Sequence, residues 1–397
     1  MKALVSHYYW DRPGGGELVM AAFAQALYEL GFHVELTSVS RFCISCYLDW
    51  FGIDLTRFNV HVLPIKLKLG IYLRPMSWLP AALSIPHLKP DFILMDFCQS
   101  KPIVMLKKYY KFKSGEYIHY PCELIYGENN WRSNPYFMEK YVKFPWNLYF
   151  KGSILLEKEF NRGNPFEVND IVWANSRWTA EIAKQVYGEL PRILNPPMPL
   201  NVEVIKDPKP FEERESRIVM IGRFGFEKRY HWVVSELMTH LIKEIPDITL
   251  TIIGGTGTAS SERYYQEIIN LSKKQGIKVE LYKNAPNNLK INLIDRSRVF
   301  LHATVNEHWG IAVAEAMARG LPVVVHKSGG TWSDIVAYGE YGFGYESIDE
   351  AVESLARLLT DSRIWRYYSM KGLERINDLT FDKFINKVRN ELKLIGL

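Results

Sequence analysis

The feature that most constrains this chain is its alternation of short apolar runs with amphipathic segments, a pattern typical of β–α repeats. Several runs are rich in Val, Ile and Leu, as are strands buried on both faces of a parallel sheet. The pattern predicts strands at residues 3–6, 33–37, 92–95, 115–119 and 170–174, and again at 217–222, 248–254, 278–281, 299–302 and 322–325. It therefore predicts an α/β chain with two doubly wound sheets.

A proline-rich segment separates the two sets of strands. Residues 191–210 contain six prolines and are typical of a linker. We therefore expect a first domain of residues 1–200, a second of residues 201–375, and a final helix within 376–397 that packs on the first domain. Two such domains facing each other would bind ligands at the carboxyl ends of both sheets.

The charge of the chain is distributed unevenly. Its 397 residues are 47% hydrophobic and 23% charged, as in a globular protein, and the net charge is +5. The segment from Arg57 to Lys113 contains ten basic residues (Lys or Arg) and only two acidic residues, both Asp. Many aromatic residues lie among them. This mixture suits an anionic membrane surface, at roughly 1 kcal/mol per nearby cation, and equally suits the basic face of an ordinary domain. It lacks a nucleic-acid-binding motif, so we expect no nucleic-acid partner.

The sequence also bears on location. It offers no apolar run that approaches the ~20 residues needed to span a bilayer. Residues 1–5 predict a first strand rather than a signal peptide, because residues 7–12 interrupt the apolar run. We expect a cytoplasmic protein, with peripheral attachment to the cytoplasmic membrane face as an open alternative.

The four cysteines are Cys43, Cys46, Cys98 and Cys122. The C-x2-C spacing of the first two is a weak zinc signal, because the sequence has no second close pair to complete the ligand set. Free thiols in a reducing compartment are the expected state.

Two glutamates eight positions apart mark the second half. Glu307 would lie in a loop after a strand, with a helix beginning near Gly310, and Glu315 would project from the second turn of that helix. A carboxylate among Ala, Val and Met needs a partner, because burying it unpaired is costly. Hydroxyls of a sugar or a ribose are suitable partners.

Glycines and cations follow two other predicted strands. Gly14, Gly15 and Gly16 precede a helix, where backbone amides can approach a ligand closely. This loop departs from G-x-G-x-x-G, the dinucleotide-binding fingerprint, which weakens the alternative that the chain is a nicotinamide-dependent oxidoreductase. Arg223 and Lys228 follow a strand that ends in glycine, so both side chains can reach the mouth of the second sheet.

Together these segments resemble glycosyltransferase family 4, the retaining nucleotide-sugar transferases of the GT-B fold with its two facing Rossmann-like domains. The E-x7-E spacing, the glycine loop and the order of the motifs carry the resemblance. Further matching segments are Tyr-Ile-His-Tyr-Pro at 117–121, the strand and capped helix at 170–179, Ile-Gly-Arg-Phe-Gly-Phe-Glu-Lys at 221–228 and Lys-Ser-Gly-Gly at 327–330. The subgroup that these segments resemble most is the mannosyltransferases that extend lipid-linked oligosaccharides.

The resemblance implies roles for particular residues. Glu315 would accept hydrogen bonds from ribose hydroxyls, and Glu307 from hydroxyls of the transferred sugar. His119 would position that sugar near its reacting carbon, and Arg223 and Lys228 would hold the diphosphate. The implied catalytic residues are His119, Glu307, Arg223 and Lys228; the implied donor-binding residues are Gly15, Gly16, Arg223, Lys228, Glu307, His308, Trp309, Gly310, Ile311 and Glu315. Asp334 stands where the family often has Glu, which leaves its role open.

The resemblance also implies a reaction without metal or cofactor. The sequence contains no Asp-x-Asp pair, so Arg223 and Lys228 would take the place of magnesium. We identify no side chain as a nucleophile, which is consistent with front-face attack in which the leaving phosphate takes the acceptor proton. The expected function is transfer of a hexose, mannose in this subgroup, from a nucleotide diphosphate sugar to a lipid-linked or glycan acceptor. The alternatives are a UDP-hexose transferase with another acceptor and a catalytically idle nucleotide-sugar-binding subunit.

Overall fold

The computed structural model describes residues 1–63, 70–96, 100–121, 124, 141, 143–160 and 163–397. The chain divides into two compact units: residues 1–201 together with 379–397, and residues 202–378. Lys66, Lys68, Cys98 and Cys122, which entered the sequence-based expectations, lie outside the described residues.

The first unit is built on a seven-stranded parallel sheet. Its strands are β1 (Lys2–Ser6), β2 (His33–Ser38), β3 (Asn59–Val62), β4 (Phe92–Met95), β5 (Lys113–Ile118), β6 (Ile171–Ala174) and β7 (Arg192–Ile193). They are ordered β3-β2-β1-β4-β5-β6-β7. The direction of winding reverses between β1 and β4, so the segments that leave these two strands separate at the carboxyl edge, where open α/β sheets bind ligands.

Helices cover both faces of this sheet. They are α1 (Gly15–Glu29), α2 (Cys46–Phe51), α3 (Trp78–Leu88), α4 (Lys101–Tyr110), α5 (Trp146–Phe160), α6 (Pro165–Val168) and α7 (Arg177–Tyr187), with 3₁₀ turns at Leu55–Arg57 and Gly70–Leu73. The last helix of the chain, Phe381–Leu394, also belongs to this unit. It packs on α1, where the rings of Phe23 and Phe384 meet edge to face at 5.1 Å.

The second unit repeats the architecture with six parallel strands in the order β10-β9-β8-β11-β12-β13. The strands are β8 (Glu215–Ile221), β9 (Thr249–Gly254), β10 (Val279–Lys283), β11 (Ser297–His302), β12 (Val323–His326) and β13 (Phe343–Tyr345). Winding reverses between β8 and β11, which are the counterparts of β1 and β4. The carboxyl ends of these two strands are therefore the expected ligand edge of this unit.

The helices of the second unit complete its layers. They are α8 (Tyr230–Trp232), α9 (Met238–Glu244), α10 (Ala259–Gln275), α11 (Asn287–Arg296), α12 (Ile311–Ala318), α13 (Ile348–Thr360) and α14 (Ser362–Ile376), and the helix Phe381–Leu394 of the first unit is α15. π-Helical segments occupy Val233–Leu237 and Thr331–Ile335, and 3₁₀ turns occupy Phe211–Glu213, Phe226–Lys228 and Ala337–Gly339. Within the described ranges, no helix has the length and apolar character needed to cross a membrane.

Most of the sequence-based fold expectation is confirmed. The chain is α/β with two doubly wound sheets, and all ten predicted strands are present. Three short strands were missed. β3 has a polar, partly exposed sequence, β7 has two residues within the proline-rich segment, and β13 is interrupted by a glycine. None of the three carries the apolar signal by which the others were predicted.

The expectation of free thiols is wrong for Cys43 and Cys46, which are joined in a disulfide. The turn that begins α2 brings their Cα atoms to 5.4 Å, within the usual range for a disulfide. Spacing in sequence alone did not establish that approach.

Candidate functional site

A partly buried ion pair lies at the reversal point of the second sheet. Lys228 ends the 3₁₀ turn after β8, and Glu307 lies in the loop after β11. The Nζ atom of Lys228 is 2.5 Å from Oε2 of Glu307, and both side chains are about four-fifths buried. Tyr230 donates to the carbonyl oxygen of Gly222 at 2.9 Å, which fastens the turn that presents Lys228. Two segments distant in sequence therefore converge at the carboxyl edge.

Glu307 remains ionised in this position. Burial by itself would raise its pKa, but the charge of Lys228 and a hydrogen bond from His302 outweigh burial and hold the pKa well below its usual value. The Nε2 atom of His302, at the end of β11, is 3.1 Å from the same Oε2. Burial lowers the pKa of His302. The neutral imidazole therefore donates to the carboxylate through Nε2.

Glycines hold the Glu307 loop in place. Gly329 has φ +75°, and a Cβ atom there would lie 2.2 Å from the carbonyl oxygen of Glu307. Gly330 donates its N–H to that same oxygen at 2.7 Å, and Asn306 donates its N–H to Ser328 Oγ at 2.7 Å. The Lys-Ser-Gly-Gly segment therefore clamps the loop through the Gly330 N–H and the Ser328 hydroxyl. The close approach of the backbone requires a residue without a side chain at position 329.

The start of α12 continues the same loop. Gly310 precedes the helix with φ +94°, and a Cβ atom there would lie 2.4 Å from Cγ2 of Thr331. Gly310 has no side chain to cap the helix, so backbone N–H groups of the first turn are potential anion donors. Trp309 is buried beside them, and Ile311 is the first helical residue.

Glu315 is in the second turn of α12, as predicted, and has a lysine of its own. Its Oε2 atom is 2.9 Å from Nζ of Lys290 on α11. Sequence reasoning missed Lys290 because neither its spacing nor its neighbours distinguish it from a surface lysine. The two glutamates of the E-x7-E segment therefore face two different cations.

Arg223 lies apart from these contacts. Its side chain is 67% exposed, and its NH2 atom is 3.4 Å from Oε1 of Glu227 one turn later. The structure brings Lys228 to Glu307, but within the described part of the chain Arg223 pairs with Glu227 and contacts neither of them.

A second cluster occupies the corresponding edge of the first sheet. His7, Asp96 and His119 each come directly after the carboxyl end of a strand, and their strands β1, β4 and β5 are adjacent. Oδ2 of Asp96 is 2.6 Å from Nδ1 of His7 and 3.1 Å from Nε2 of His119. The Glu17 carboxylate, from the first turn of α1, lies 3.9 Å from Nε2 of His7.

Electrostatics keep this cluster charged although it is buried. Burial would lower the pKa of His7, but Asp96 and Glu17 outweigh burial and raise it to about 9. Burial opposes ionisation of Asp96 as well, yet the charge of His7 and hydrogen bonds from His7 and His119 lower its pKa. The pKa of Glu17 is also lowered, against burial, by His7 and Arg12. Strongly shifted groups of this kind concentrate at functional sites.

The glycine loop lies against this cluster. α1 begins at Gly15, and a Cβ atom at Gly16 would lie 3.5 Å from Nε2 of His119. The sequence analysis predicted site roles for Gly15, Gly16 and His119, and it did not single out His7 and Asp96. The available signal was a polar residue directly after each of two strands, which identifies the carboxyl edge of a parallel sheet.

Comparison with known proteins agrees with this architecture. Residues 201–373 match the family of glycosyl transferases group 1. The human GDP-Man:Man(3)GlcNAc(2)-PP-Dol alpha-1,2-mannosyltransferase is 27% identical over 305 residues, which cover 70% of this chain and 61% of the human protein. This chain therefore spans about three fifths of the length of that relative.

Solved structures show the same fold. Anabaena Alr3699/HepE, in complex with UDP and glucose, superposes with a TM-score of 0.69 at 16% identity, covering 100% of both chains. Sucrose-phosphate synthase from Thermosynechococcus elongatus superposes with a TM-score of 0.68 at 15% identity, covering 99% of this chain and 98% of that one. With these matches the resemblance drawn from the sequence is confirmed: residues 201–373 match the glycosyl transferases group 1 family, and the fold of the chain is that of the GT-B glycosyltransferases.

Proposed function

We propose that this chain is a glycosyltransferase that moves mannose from GDP-mannose to a lipid-linked oligosaccharide. The observation that carries the proposal is the partly buried Lys228–Glu307 pair at the reversal point of the second sheet. A cation and a carboxylate held side by side match the two ends of a nucleotide diphosphate sugar, the anionic diphosphate and the hydroxyl-rich sugar. The relatives that use GDP-mannose support the choice of donor.

In the proposed donor site, Lys228 binds the diphosphate and Glu307 accepts hydrogen bonds from the sugar. The first turn of α12, next to Trp309 and Gly310, adds backbone N–H donors for a phosphate oxygen. Glu315, oriented by Lys290, accepts from the ribose hydroxyls. Arg223 is exposed beside the turn and serves as a second, outer cation for the diphosphate.

We propose that transfer retains the anomeric configuration. The leaving nucleotide diphosphate gains negative charge as the glycosidic bond breaks, and fixed cations and amides stabilise that charge more in the transition state than in the ground state. The acceptor hydroxyl attacks on the face that the diphosphate leaves, and a departing phosphate oxygen takes its proton. In the first unit, His119 positions the sugar, and the backbone N–H groups of Gly15 and Gly16 donate hydrogen bonds to the phosphate.

Donor binding is tested with the Lys228→Ala variant. Ligands that bind only the folded protein raise its apparent melting temperature. We expect GDP and GDP-mannose to raise the melting temperature of the wild-type chain more than UDP or ADP. Lys228→Ala should lose most of this shift, because a charge-assisted contact contributes roughly 1.5–3 kcal/mol.

Lys243→Ala is the matched control, since Lys243 is an exposed lysine in the last turn of α9. It should leave the shift intact. A larger shift with UDP would favour the alternative UDP-hexose donor, and equal responses to all three bases would contradict the donor site. Transfer of radiolabelled mannose to a lipid-linked oligosaccharide, lost in Lys228→Ala, then distinguishes an enzyme from an idle binding subunit.

A further inference from the structure

The carboxylate of Asp96 is the centre of the cluster in the first unit. Its side chain has no exposed surface, and its Oδ2 atom faces ring nitrogens of both His7 and His119. The three residues come from three adjacent strands, so the spacing of the sheet sets their mutual positions. A buried group held in this way has little freedom to change partners.

The chemistry of the carboxylate determines which ring nitrogens carry protons. An ionised carboxylate accepts hydrogen bonds and donates none. The nitrogens that face Oδ2, Nδ1 of His7 and Nε2 of His119, must therefore both bear hydrogen. A neutral imidazole has one N–H and one lone pair, so in neutral His119 the lone pair lies on Nδ1.

His7 keeps the carboxylate in its ionised form. Protonated His7 lies between Asp96 and Glu17, at 2.6 Å and 3.9 Å, and offsets charge that burial would otherwise disfavour. Loss of that positive charge would raise the pKa of Asp96, and a protonated Asp96 could donate to His119. Such a donor would reverse the hydrogen bond and move the lone pair of His119 to Nε2.

The other side of the His119 ring is open to a ligand. The side chain is 26% exposed, and its Nδ1 atom has no hydrogen bond to the residues that the structure describes. The backbone is fixed independently of the ring, because the carbonyl oxygen of His119 accepts a hydrogen bond from Asn175 Nδ2 at 3.1 Å. An oriented, accessible lone pair is suited to accepting a hydrogen bond from a hydroxyl group.

We propose that Asp96 and His7 are positioning residues which hold His119 in the tautomer with its proton on Nε2, and that Nδ1 accepts a hydrogen bond from a hydroxyl of the bound substrate. The second half of this statement rests on the proposed function, and the first half does not. Neither Asp96 nor His7 contacts the substrate in this account; they act through His119.

The tautomer is measured directly by NMR on the full chain labelled with ¹⁵N-histidine. Long-range ¹H–¹⁵N spectra distinguish a protonated ring nitrogen from an unprotonated one, and the His119→Gln variant assigns the signals. We expect neutral His119 in the wild-type chain to show a protonated Nε2 and an unprotonated Nδ1. A protonated Nδ1 would overturn the proposal without reference to any variant.

Asp96→Asn tests the cause of the preference. The amide keeps the shape of the side chain but adds a donor, so the two tautomers of His119 should mix and both nitrogen signals should move towards average values. Asp91→Asn, at the opposite end of β4 and exposed, is the matched control and should leave the signals unchanged. If Asp96→Asn fails to fold, His7→Gln takes its place as the test, and it should also move both His119 nitrogen signals towards average values. Unchanged His119 signals in a folded Asp96→Asn chain would refute the positioning role.

Kinetics test the contact with substrate. We expect Asp96→Asn to reduce kcat/KM for GDP-mannose roughly tenfold, the effect of one misdirected hydrogen bond, while the Kd for GDP, which carries no sugar, stays unchanged. Equal kcat/KM in the two chains, with an altered tautomer in the variant, would refute the role of Nδ1. If the wild-type chain transfers no mannose, the proposed function fails, and the NMR result on the tautomer remains valid.

Discussion

Single residues set the geometry of both carboxyl edges. In the second unit Glu307 is held by Lys228 and His302 through its side chain and by Gly330 through its backbone. In the first unit Asp96 is held between two histidines. In both places the carboxylate, partly buried at Glu307 and fully buried at Asp96, stays ionised because neighbouring donors and cations replace the water that burial removes.

Gly329→Ala should damage the Glu307 loop more than a left-handed backbone alone would explain. Strain at positive φ costs about 1–2 kcal/mol, and the new Cβ atom would also clash with the Glu307 carbonyl oxygen. Gly276→Ala is the matched control, since it has φ +63° and no atom within 4 Å of the added methyl group. In urea titrations we expect the free energy of unfolding of Gly329→Ala to be clearly lower than that of Gly276→Ala. Gly329→Ala should also bind GDP more weakly. Equal losses in the two variants would contradict the clamp.

Stability should depend on the protonation of His7 at alkaline pH. Its folded pKa of about 9 lies above the ordinary 6.5, so its contribution is fully present below pH 6.5 and is lost as the pH rises through 9. The loss is roughly 3 kcal/mol over this range. Among the described residues, the charged and titratable groups that face it are Glu17 on α1, Asp96 after β4 and Tyr8 beside it.

Urea titrations from pH 6 to 10 measure this dependence. The wild-type chain should lose stability across the range, and His7→Gln should lose much less. His33→Gln removes an exposed histidine from β2 and should follow the wild-type curve. Parallel curves for the wild-type chain and His7→Gln would show that His7 does not titrate as described.

At the scale of elements, the contacts of α4 reduce the number of basic residues that are available to contact a membrane. Lys107 and Lys113 both pair with Asp170, at 2.7 and 3.0 Å, so part of the basic segment serves the fold. The exposed residues of α4 and its end include Met105, Tyr109, Lys108 and Lys111. We propose that this group of four residues, apolar and cationic together, contacts an anionic membrane surface.

Vesicle flotation tests that contact. Lys108→Gln combined with Lys111→Gln should weaken binding to vesicles containing phosphatidylserine by about 2 kcal/mol. The control pair is Lys273→Gln with Lys274→Gln, two exposed lysines in the last turn of α10, and it should bind as the wild-type chain does. Binding that survives both the first double substitution and high salt would rule out an electrostatic contact through α4.

At the scale of the whole molecule, the two units are unequal in chain connectivity. Residues 202–378 are continuous and contain a complete six-stranded sheet, whereas the first unit needs α15 from the end of the chain. α15 covers α1 through Phe384, and Glu391 accepts hydrogen bonds from Trp173 and Arg192. The first unit therefore completes its core with residues that follow the second unit in the chain.

Separate expression of the units tests this dependence. The fragment 202–378 should unfold cooperatively and bind GDP, while the fragment 1–201 should lack a cooperative melting transition. Joining 379–397 to residue 201 through a short flexible linker should restore that transition, because Met198 N donates to Leu379 O at 2.9 Å and the ends are close. A stable fragment 1–201 without α15 would show that the last helix is dispensable.

The amino-acid sequence by itself determined the fold class and the places of the candidate residues. Strong apolar periodicity located all ten predicted strands, and local spacing placed Glu307 in its loop and Glu315 in the second turn of α12. These properties depend on residues near one another in the chain, so a linear pattern records them. The short strands β3, β7 and β13 were not predicted, because their sequences lack a clear apolar pattern.

Tertiary structure alone decided which groups meet. Lys228 lies 79 positions from Glu307, and Asp96 lies 89 from His7. Their pairing depends on strand order, since β8 lies beside β11 and β1 beside β4. The same dependence decided that Lys290 reaches Glu315 and that Lys107 pairs with Asp170 rather than standing free. Burial and charge then set the protonation states, because both are properties of the assembled edge and not of any segment in isolation.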